Sequence, residues 1–364
     1  MIIAFRTDSS LQIGSGHVMR CLTLADELRQ RGAYVMFVCR EHPGDLIGLI
    51  EEKGYSVIRL LRQEAEYDKT SEDVAHAAWL GTSLHQDAVD TIAVLSELQP
   101  QWLIIDSYSI DRRWEQMLRP FSDKIMVIDD LADRPHDSDL LLDQNLYDNM
   151  ENRYDKLVTC DCIKLLGPTY ALLRPEFAAA RKTIRQRIGQ VRRVLLFFGG
   201  VDPTNETEKA LIALTGITDR QLEVDVVVGS SNTRREEIKR MCTAYDRFYY
   251  HCQVDSMAAL MCSADFAVGA GGSTTWERSC LGLPSLLVSI ALNQIELARQ
   301  ADKNGITVYA GGTDTTSPFA YSKWISELIN NPPYLTSMSG AGIALVDGCG
   351  AERVAVVMAE ILWT

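Results

Sequence analysis

Short runs of uniformly apolar residues recur along this 364-residue chain, each followed by a polar turn and then by a stretch with helical spacing. In the first half these runs fall at 2–5, 34–39, 56–60, 102–106, 125–129 and 140–143. Runs apolar at every position are strands covered on both faces, as in a parallel sheet flanked by helices. After the first run, Val18, Cys21, Leu22, Ala25 and Leu28 mark one helix face, with Gly32 as its stop. A further helix is predicted over 84–98. The segment 144–161 is polar without clear period and reads as the connection between two domains. Beyond it the rhythm restarts. Strands are predicted over 194–198, 224–228, 248–250, 266–268, 285–289 and 307–309. Helices are predicted over 206–214, 234–242, 256–262, 274–281, 295–304 and 351–362. The pattern predicts two doubly wound α/β domains in tandem, over 1–148 and 149–364, facing across a cleft where a ligand binds.

Composition narrows the partners. Hydrophobic residues are 46 % of the chain, enough for two cores of ordinary size. A net charge of −13 argues against a nucleic-acid partner but leaves a single nucleotide open, since that needs only a local anion pocket. The nine cysteines are odd in number and scattered, only Cys160 and Cys162 lying close, which reads as reduced thiols in a cytoplasmic protein. No apolar run approaches the ~20 residues of a membrane helix, so no membrane partner is expected.

The candidate chemistry lies in the turns after the strands. Gly14-Ser15-Gly16-His17 joins the first strand to the first helix. Glycines let a backbone approach a ligand, and free N–H groups at a helix start favour anions. His17 either opens the helix, with its ring in solvent or bonded to a nearby carbonyl, or presents a titratable imidazole to a ligand. The loop is not a dinucleotide fingerprint, because Met19 stands where a third glycine is required.

A second glycine loop, Gly269-Ala270-Gly271-Gly272-Ser273-Thr274-Thr275-Trp276-Glu277, opens a helix in the second half. Its glycines and hydroxyls suit a pyrophosphate, and Glu277 suits the two hydroxyls of a ribose. Thr274 and Glu277 also have the spacing of a capping box, and both readings stay open. A third loop, Phe198-Gly199-Gly200-Val201-Asp202-Pro203-Thr204-Asn205, supplies further backbone donors or is a tight turn with Thr204 or Asn205 capping the next helix. Asn293-Gln294 begins another helix, as a ligand contact or simply as a polar start. Ile104-Ile105-Asp106-Ser107-Tyr108 and Val127-Ile128-Asp129-Asp130 put polar groups just past strands. Paired Asp129 and Asp130 have the chemistry for magnesium, but strand-end aspartates more often cap loops, and no metal or cofactor is expected. No zinc-type cluster and no nucleophile elbow is present.

Together these motifs, with Arg6-Thr7-Asp8-Ser9-Ser10 and Gly167-Pro168-Thr169-Tyr170-Ala171-Leu172-Leu173-Arg174-Pro175-Glu176-Phe177, resemble one family. It is the UDP-2,4-diacetamido-2,4,6-trideoxy-β-L-altropyranose hydrolase family of pseudaminic acid biosynthesis, and the resemblance runs from Met1 to about Gly311. The resemblance implies a GT-B glycosyltransferase-like fold of two Rossmann-like domains, with UDP held by the second and water attacking the sugar. It implies a cytoplasmic hydrolase in the supply of sugars for flagellin glycosylation and surface polysaccharide. By position it makes His17 catalytic and Tyr108 an active-site residue. It puts Gly14, Gly16, Gly200, Gly271, Gly272, Ser273, Thr274, Glu277, Asn293 and Gln294 at the substrate. The last helix is expected to pack back on the first domain. Two alternatives stand beside this one: a UDP-sugar glycosyltransferase of surface polysaccharide synthesis, and a non-catalytic nucleotide-sugar sensor that would tolerate loss of His17.

Overall fold

The structure, a computed structural model, describes residues 1–62, 74–217, 221–254 and 256–362. The chain forms two compact units. The first comprises Met1–Asn145, Asn149–Leu172 and Cys349–Thr364, and the second comprises Leu146–Asp148 and Leu173–Gly348.

Unit 1 is a seven-stranded parallel sheet. Its strands are β1 (Ile2–Thr7), β2 (Tyr34–Arg40), β3 (Ser56–Leu60), β4 (Trp102–Asp106), β5 (Lys124–Ile128), β6 (Leu140–Asp143) and β7 (Ile163–Leu166). They lie in the order β3-β2-β1-β4-β5-β6-β7. Helices α1 (Gly16–Gln30), α2 (Ile47–Glu52), α3 (Leu84–Leu98) and α4 (Arg112–Leu118) link them. Apart from the edge strand β3, whose Ser56 and Arg59 are exposed, the apolar runs are buried on both faces along most of their length. Ile3 and Phe5 join one core with the α1 face Val18, Cys21, Leu22, Ala25 and Leu28, and Ala4 joins the other with Leu95, Trp114 and Leu118. Each large side chain taken out of water this way contributes about 1.5–3 kcal/mol.

Chain order reverses between β1 and β4, where Thr7 pairs with Asp106. At such a switch point the loops leaving two adjacent strands diverge to opposite faces and open a crevice at the strand ends. The polar stretch after β1 is shaped by its own side chains. Asp8 holds the Arg6 guanidinium at 2.6 Å and accepts from the Arg40 amide at 2.7 Å, and the Ser9 hydroxyl accepts from the Leu46 amide at 2.8 Å.

Unit 2 repeats the architecture with six parallel strands. They are β8 (Arg193–Phe197), β9 (Glu223–Val228), β10 (Phe248–Cys252), β11 (Phe266–Ala270), β12 (Ser285–Ser289) and β13 (Val308–Gly312), in the order β10-β9-β8-β11-β12-β13. Its helices are α5 (Pro175–Arg181), α6 (Glu206–Thr215), α7 (Arg235–Thr243), α8 (Met257–Ser263), α9 (Thr274–Cys280), α10 (Ile295–Lys303), α11 (Pro318–Ile329) and α12 (Pro332–Leu345). The switch point falls between β8 and β11, which puts the loops starting at Phe198 and Gly271 side by side. The last helix, α13 (Gly350–Leu362), belongs to unit 1 and packs on α1. Its first residue must be glycine: a Cβ on Gly350 would lie 2.3 Å from the Ala171 carbonyl oxygen.

Two expectations need correction. The segment 144–161 is not a domain connection. Apart from Leu146–Asp148 it folds within unit 1. Tyr154 is fully buried there, and its hydroxyl donates toward both Asp129 and Asp143 at 3.0 Å. The stretch is built from turns and one short 3-10 helix, which carry no apolar period. The chain therefore passes finally into unit 2 at Leu173 rather than at 149, and β7 completes the first sheet. That strand was missed because it is a four-residue edge strand with Ile163 exposed.

Candidate active site

Each unit gathers its predicted residues at its own switch point. In unit 1, Gly14 turns the chain with φ +81°, its amide donating to the Ser10 carbonyl at 2.8 Å, and Gly16 begins α1. His17 is therefore delivered to the end of β4. Its Nδ1 lies 2.6 Å from Asp106 Oδ1. Arg20, one turn on, grips the same carboxylate with two donors, Nε to Oδ2 at 2.6 Å and Nη2 to Oδ1 at 2.7 Å. The third nitrogen of Arg20, Nη1, reaches Asp130 Oδ2 at 2.9 Å. Tyr108 donates its hydroxyl hydrogen to the other oxygen of Asp130. The Tyr108 ring meets the His17 ring edge to face, with centroids 4.5 Å apart.

The electrostatics settle the tautomer. Burial alone would push the Asp106 carboxyl up, but the charge of Arg20 and the hydrogen bonds from Arg20 and His17 override it and hold the group well below the usual carboxylate range. An ionised carboxylate only accepts, so Nδ1 of a neutral His17 carries the proton and donates it to Asp106. Nε2 is left as the basic nitrogen, and it has no hydrogen-bond partner among the described residues. Tyr108 is pushed far up by burial and by the charge of Asp130, so its phenol stays protonated. With its hydrogen given to Asp130, the Tyr108 oxygen presents lone pairs. The first reading of His17, a ring in solvent, is thus set aside: the residue is only 7 % exposed and held by a carboxylate.

Asp129 and Asp130 are occupied by other partners. Asp129 is held at about 2 by Arg134 against the effect of burial, and it accepts from the Ala132 amide at 2.9 Å. Among the described residues no cluster of three or more His, Cys, Asp or Glu is arranged to hold a metal ion. Beyond Asp129 the network reaches Asp143, which burial and the neighbouring charge of Asp130 push up to about 8.

In unit 2 the second glycine loop crosses the end of β11. Gly269 is wedged against β8: a Cβ there would stand 2.2 Å from the Phe197 carbonyl oxygen. The Gly271 amide is spent on the Val288 carbonyl at 3.1 Å, whereas those of Gly272 and Ser273 donate to no carbonyl among the described residues. Gln294 lies over this loop, 3.3 Å from where a Gly271 Cβ would be, with its own oxygen accepting from the Ile290 amide at 3.1 Å. Asn293 is exposed. Gly200 packs at the end of β9, where a Cβ on Gly229 would meet the Gly200 carbonyl at 2.3 Å.

The capping box is not formed. Ser273, not Thr274, occupies the cap position of α9, and no side chain caps it. Glu277 instead lies 3.6 Å from Arg174, which also pairs with Glu176 at 2.9 Å. Burial raises the Glu277 carboxyl, with Arg174 and Arg278 opposing. Beneath the loop, Arg278 donates to the Ala270 carbonyl at 2.8 Å, and burial lowers its guanidinium to about 10. In the third loop Asn205 occupies the N-cap position of α6 but its side chain makes no cap bond; the Glu206 and Thr207 amides donate instead to the two oxygens of Asp202, at 2.9 and 2.8 Å.

Sequence reading missed Arg20 and the roles of Asp106 and Asp130. Arg20 shares the α1 face of His17 one turn away, a spacing that was visible, but its partners lie 86 and 110 residues on.

No family model matches the chain. It is 29 % identical over 198 residues to the spore coat polysaccharide biosynthesis protein SpsG of Bacillus subtilis, covering 54 % of this chain and 58 % of that one. It is 27 % identical to an uncharacterized protein of Methanocaldococcus jannaschii, covering 82 % of this chain and 57 % of the other. The chain thus spans less than two thirds of the length of both. It is also 26 % identical over 309 residues to the UDP-2,4-diacetamido-2,4,6-trideoxy-β-L-altropyranose hydrolase of Campylobacter jejuni, covering 85 % of this chain and 98 % of the hydrolase. This chain is a distant relative of that hydrolase. Its structure aligns with MurG of Acinetobacter baumannii at a TM-score of 0.66 and 12 % identity, over 99 % of each chain. A spinosyn rhamnosyltransferase complexed with thymidine diphosphate aligns at 0.64 and 15 % identity, over 98 % of this chain and 99 % of that one. The fold is GT-B. Among the described residues no helix is long and apolar enough to cross a membrane.

Proposed function

We propose that the chain hydrolyses a UDP-linked 2,4-diacetamido-2,4,6-trideoxyhexose, of the altropyranose type named for its relative, at the sugar C1. The observation that carries this is the His17–Asp106 pair at 2.6 Å, which leaves Nε2 as the free ring nitrogen of an imidazole packed edge to face on the Tyr108 ring. Water donates one hydrogen to the Tyr108 oxygen and the other to His17 Nε2. Its oxygen bonds to C1 as the proton moves to Nε2. The C1–O bond breaks, and its electron pair leaves with UDP, inverting the anomeric centre. Asp106 stabilises the imidazolium that forms and keeps the ring oriented, as the carboxylate does in a serine hydrolase triad. In unit 2 the free amides of Gly272 and Ser273, with the hydroxyls of Ser273 and Thr274, take the diphosphate. Glu277 takes the ribose hydroxyls, and Asn293 and Gln294 contact the substrate, with Gly200 and Gly271 allowing close backbone approach.

A proton NMR time course with the UDP-diacetamido-trideoxy-altrose in part-labelled ¹⁸O water tests the reading. Label at C1 of the free sugar with unlabelled UDP supports it, and His17→Asn then lowers turnover with little change in UDP affinity. Label on the nucleotide moves the attack to phosphorus and removes His17 from the role. UDP binding without turnover favours a transferase lacking its acceptor.

A further inference from the structure

The loop between β3 and α3 brings two aromatic side chains to the Tyr108 ring that the proposed chemistry leaves unused. A short 3-10 turn, Ala77–Leu80, is pinned from below by buried Ala77 and Leu80. It is pinned from the side by the Ser109 hydroxyl, which donates to the His76 carbonyl at 2.7 Å and ties the turn to the loop carrying Tyr108. The His76 and Trp79 rings are 4.3 Å apart. Both reach Tyr108, with centroids at 5.5 and 6.0 Å, and Tyr108 touches His17 at 4.5 Å. Trp102, Trp114 and Trp276 are fully enclosed, and Trp324 is half-buried against the core of unit 2. Trp79 is left half-buried, beside the residues that carry the chemistry.

We propose that Trp79, backed by His76, is a specificity-determining wall that stacks on the apolar face and methyl groups of the sugar. This rests on the nucleotide-sugar reading and names what the enzyme selects. An aromatic face gains from C–H groups and methyls, which shed water cheaply, and gains little from a hydroxyl that must give up hydrogen bonds to reach it. A sugar bearing two N-acetyl groups and a 6-deoxy methyl offers three methyls. Glucose offers none. The wall therefore favours acetamido and deoxy sugars over fully hydroxylated ones on the same UDP.

The test compares the whole wild-type chain with Trp79→Ala and Trp79→Phe, all checked for native circular dichroism. Two readouts are taken: steady-state kinetics on the UDP-diacetamido-trideoxy-altrose and on UDP-glucose, and saturation transfer to the sugar methyl protons in His17→Asn backgrounds that do not turn over. Trp79→Ala is expected to raise KM about ten-fold for the diacetamido sugar, with kcat and UDP affinity within about two-fold. Methyl saturation falls with it, and Trp79→Phe restores both. Unchanged KM and saturation in Trp79→Ala overturn the wall while leaving hydrolysis standing. Methyl saturation that depends on Trp79 in a protein without turnover upholds the wall and overturns hydrolysis. A wild-type chain showing neither overturns both.

Discussion

Replacing Asp106 by asparagine separates the two jobs the carboxylate performs. Its oxygens accept from His17 Nδ1 at 2.6 Å, from Arg20 Nε and Nη2 at 2.6 and 2.7 Å, and from the Cys21 thiol at 3.4 Å. Every neighbour is a donor. An amide nitrogen therefore has no good place: turned to His17 it forces the proton onto Nε2 and removes the base, and turned to Arg20 it opposes a guanidinium. The second orientation leaves a buried cation short of its partner, for which a loss of about 3 kcal/mol is the low end of the usual range, since Arg20 keeps Asp130. The first removes the correct tautomer, worth up to about 10⁴ in rate in the comparable triad. Asp106→Asn should thus lower kcat by about 10²–10⁴, or ~3–5.5 kcal/mol of barrier, with UDP affinity unchanged because the loops proposed to take the nucleotide belong to unit 2. The assay is UDP release under saturating substrate, with calorimetric titration of UDP and urea unfolding in parallel. Adding His17→Asn to Asp106→Asn should cost little more, because the two act as one unit. A folded Asp106→Asn protein with kcat within about three-fold of wild type would refute the reasoning.

Three further outcomes follow from other contacts. Glu277→Gln should weaken UDP binding about ten-fold at near-normal kcat, the size of one charge-assisted contact, and an unchanged Kd would reduce Glu277 to a partner of Arg174. Asp143, pushed up to about 8 by burial and by Asp130, keeps a proton in the fold that the unfolded chain gives up near pH 4. Its contribution is full below that point and lost as pH rises toward 8, so Asp143→Asn should gain on wild type by about 2–4 kcal/mol between pH 5 and 8, and a pH-independent gap in urea unfolding would contradict this. Gly269→Ala, with its Cβ 2.2 Å from the Phe197 carbonyl, should cost about 3 kcal/mol, whereas Gly16→Ala, with nothing within 4 Å, should stay within about 1 kcal/mol; equal losses would undo the packing argument.

The apolar runs at 2–5 and 102–106 and the α1 face at Val18, Cys21, Leu22, Ala25 and Leu28 were legible in the chain, because burial on two faces or one leaves a period that needs no partner to be read. The glycine loops after β1, β8 and β11 were legible for a similar local reason: they break those runs at the strand ends. Several elements were not. Helices α2 and α4 run for only six and seven residues, α11 opens on Pro318, and α12 carries Pro and Gly among residues that bury only part of one face. The segment around Tyr154 looked like a connection because its order comes from one buried hydroxyl shared by two carboxylates, which has no sequence period.

The sequence by itself determined two parallel α/β repeats and the residue types at their loops, His17 and Glu277 among them. Tertiary structure decided their states. Asp106 lies 89 residues from His17 and Asp130 lies 110 from Arg20, and only the strand order β1-β4-β5 brings these carboxylates to one helix start. An imidazole's tautomer and a phenol's role depend on which acceptor stands within 3 Å. That distance is set by the packing of strands far apart in the chain.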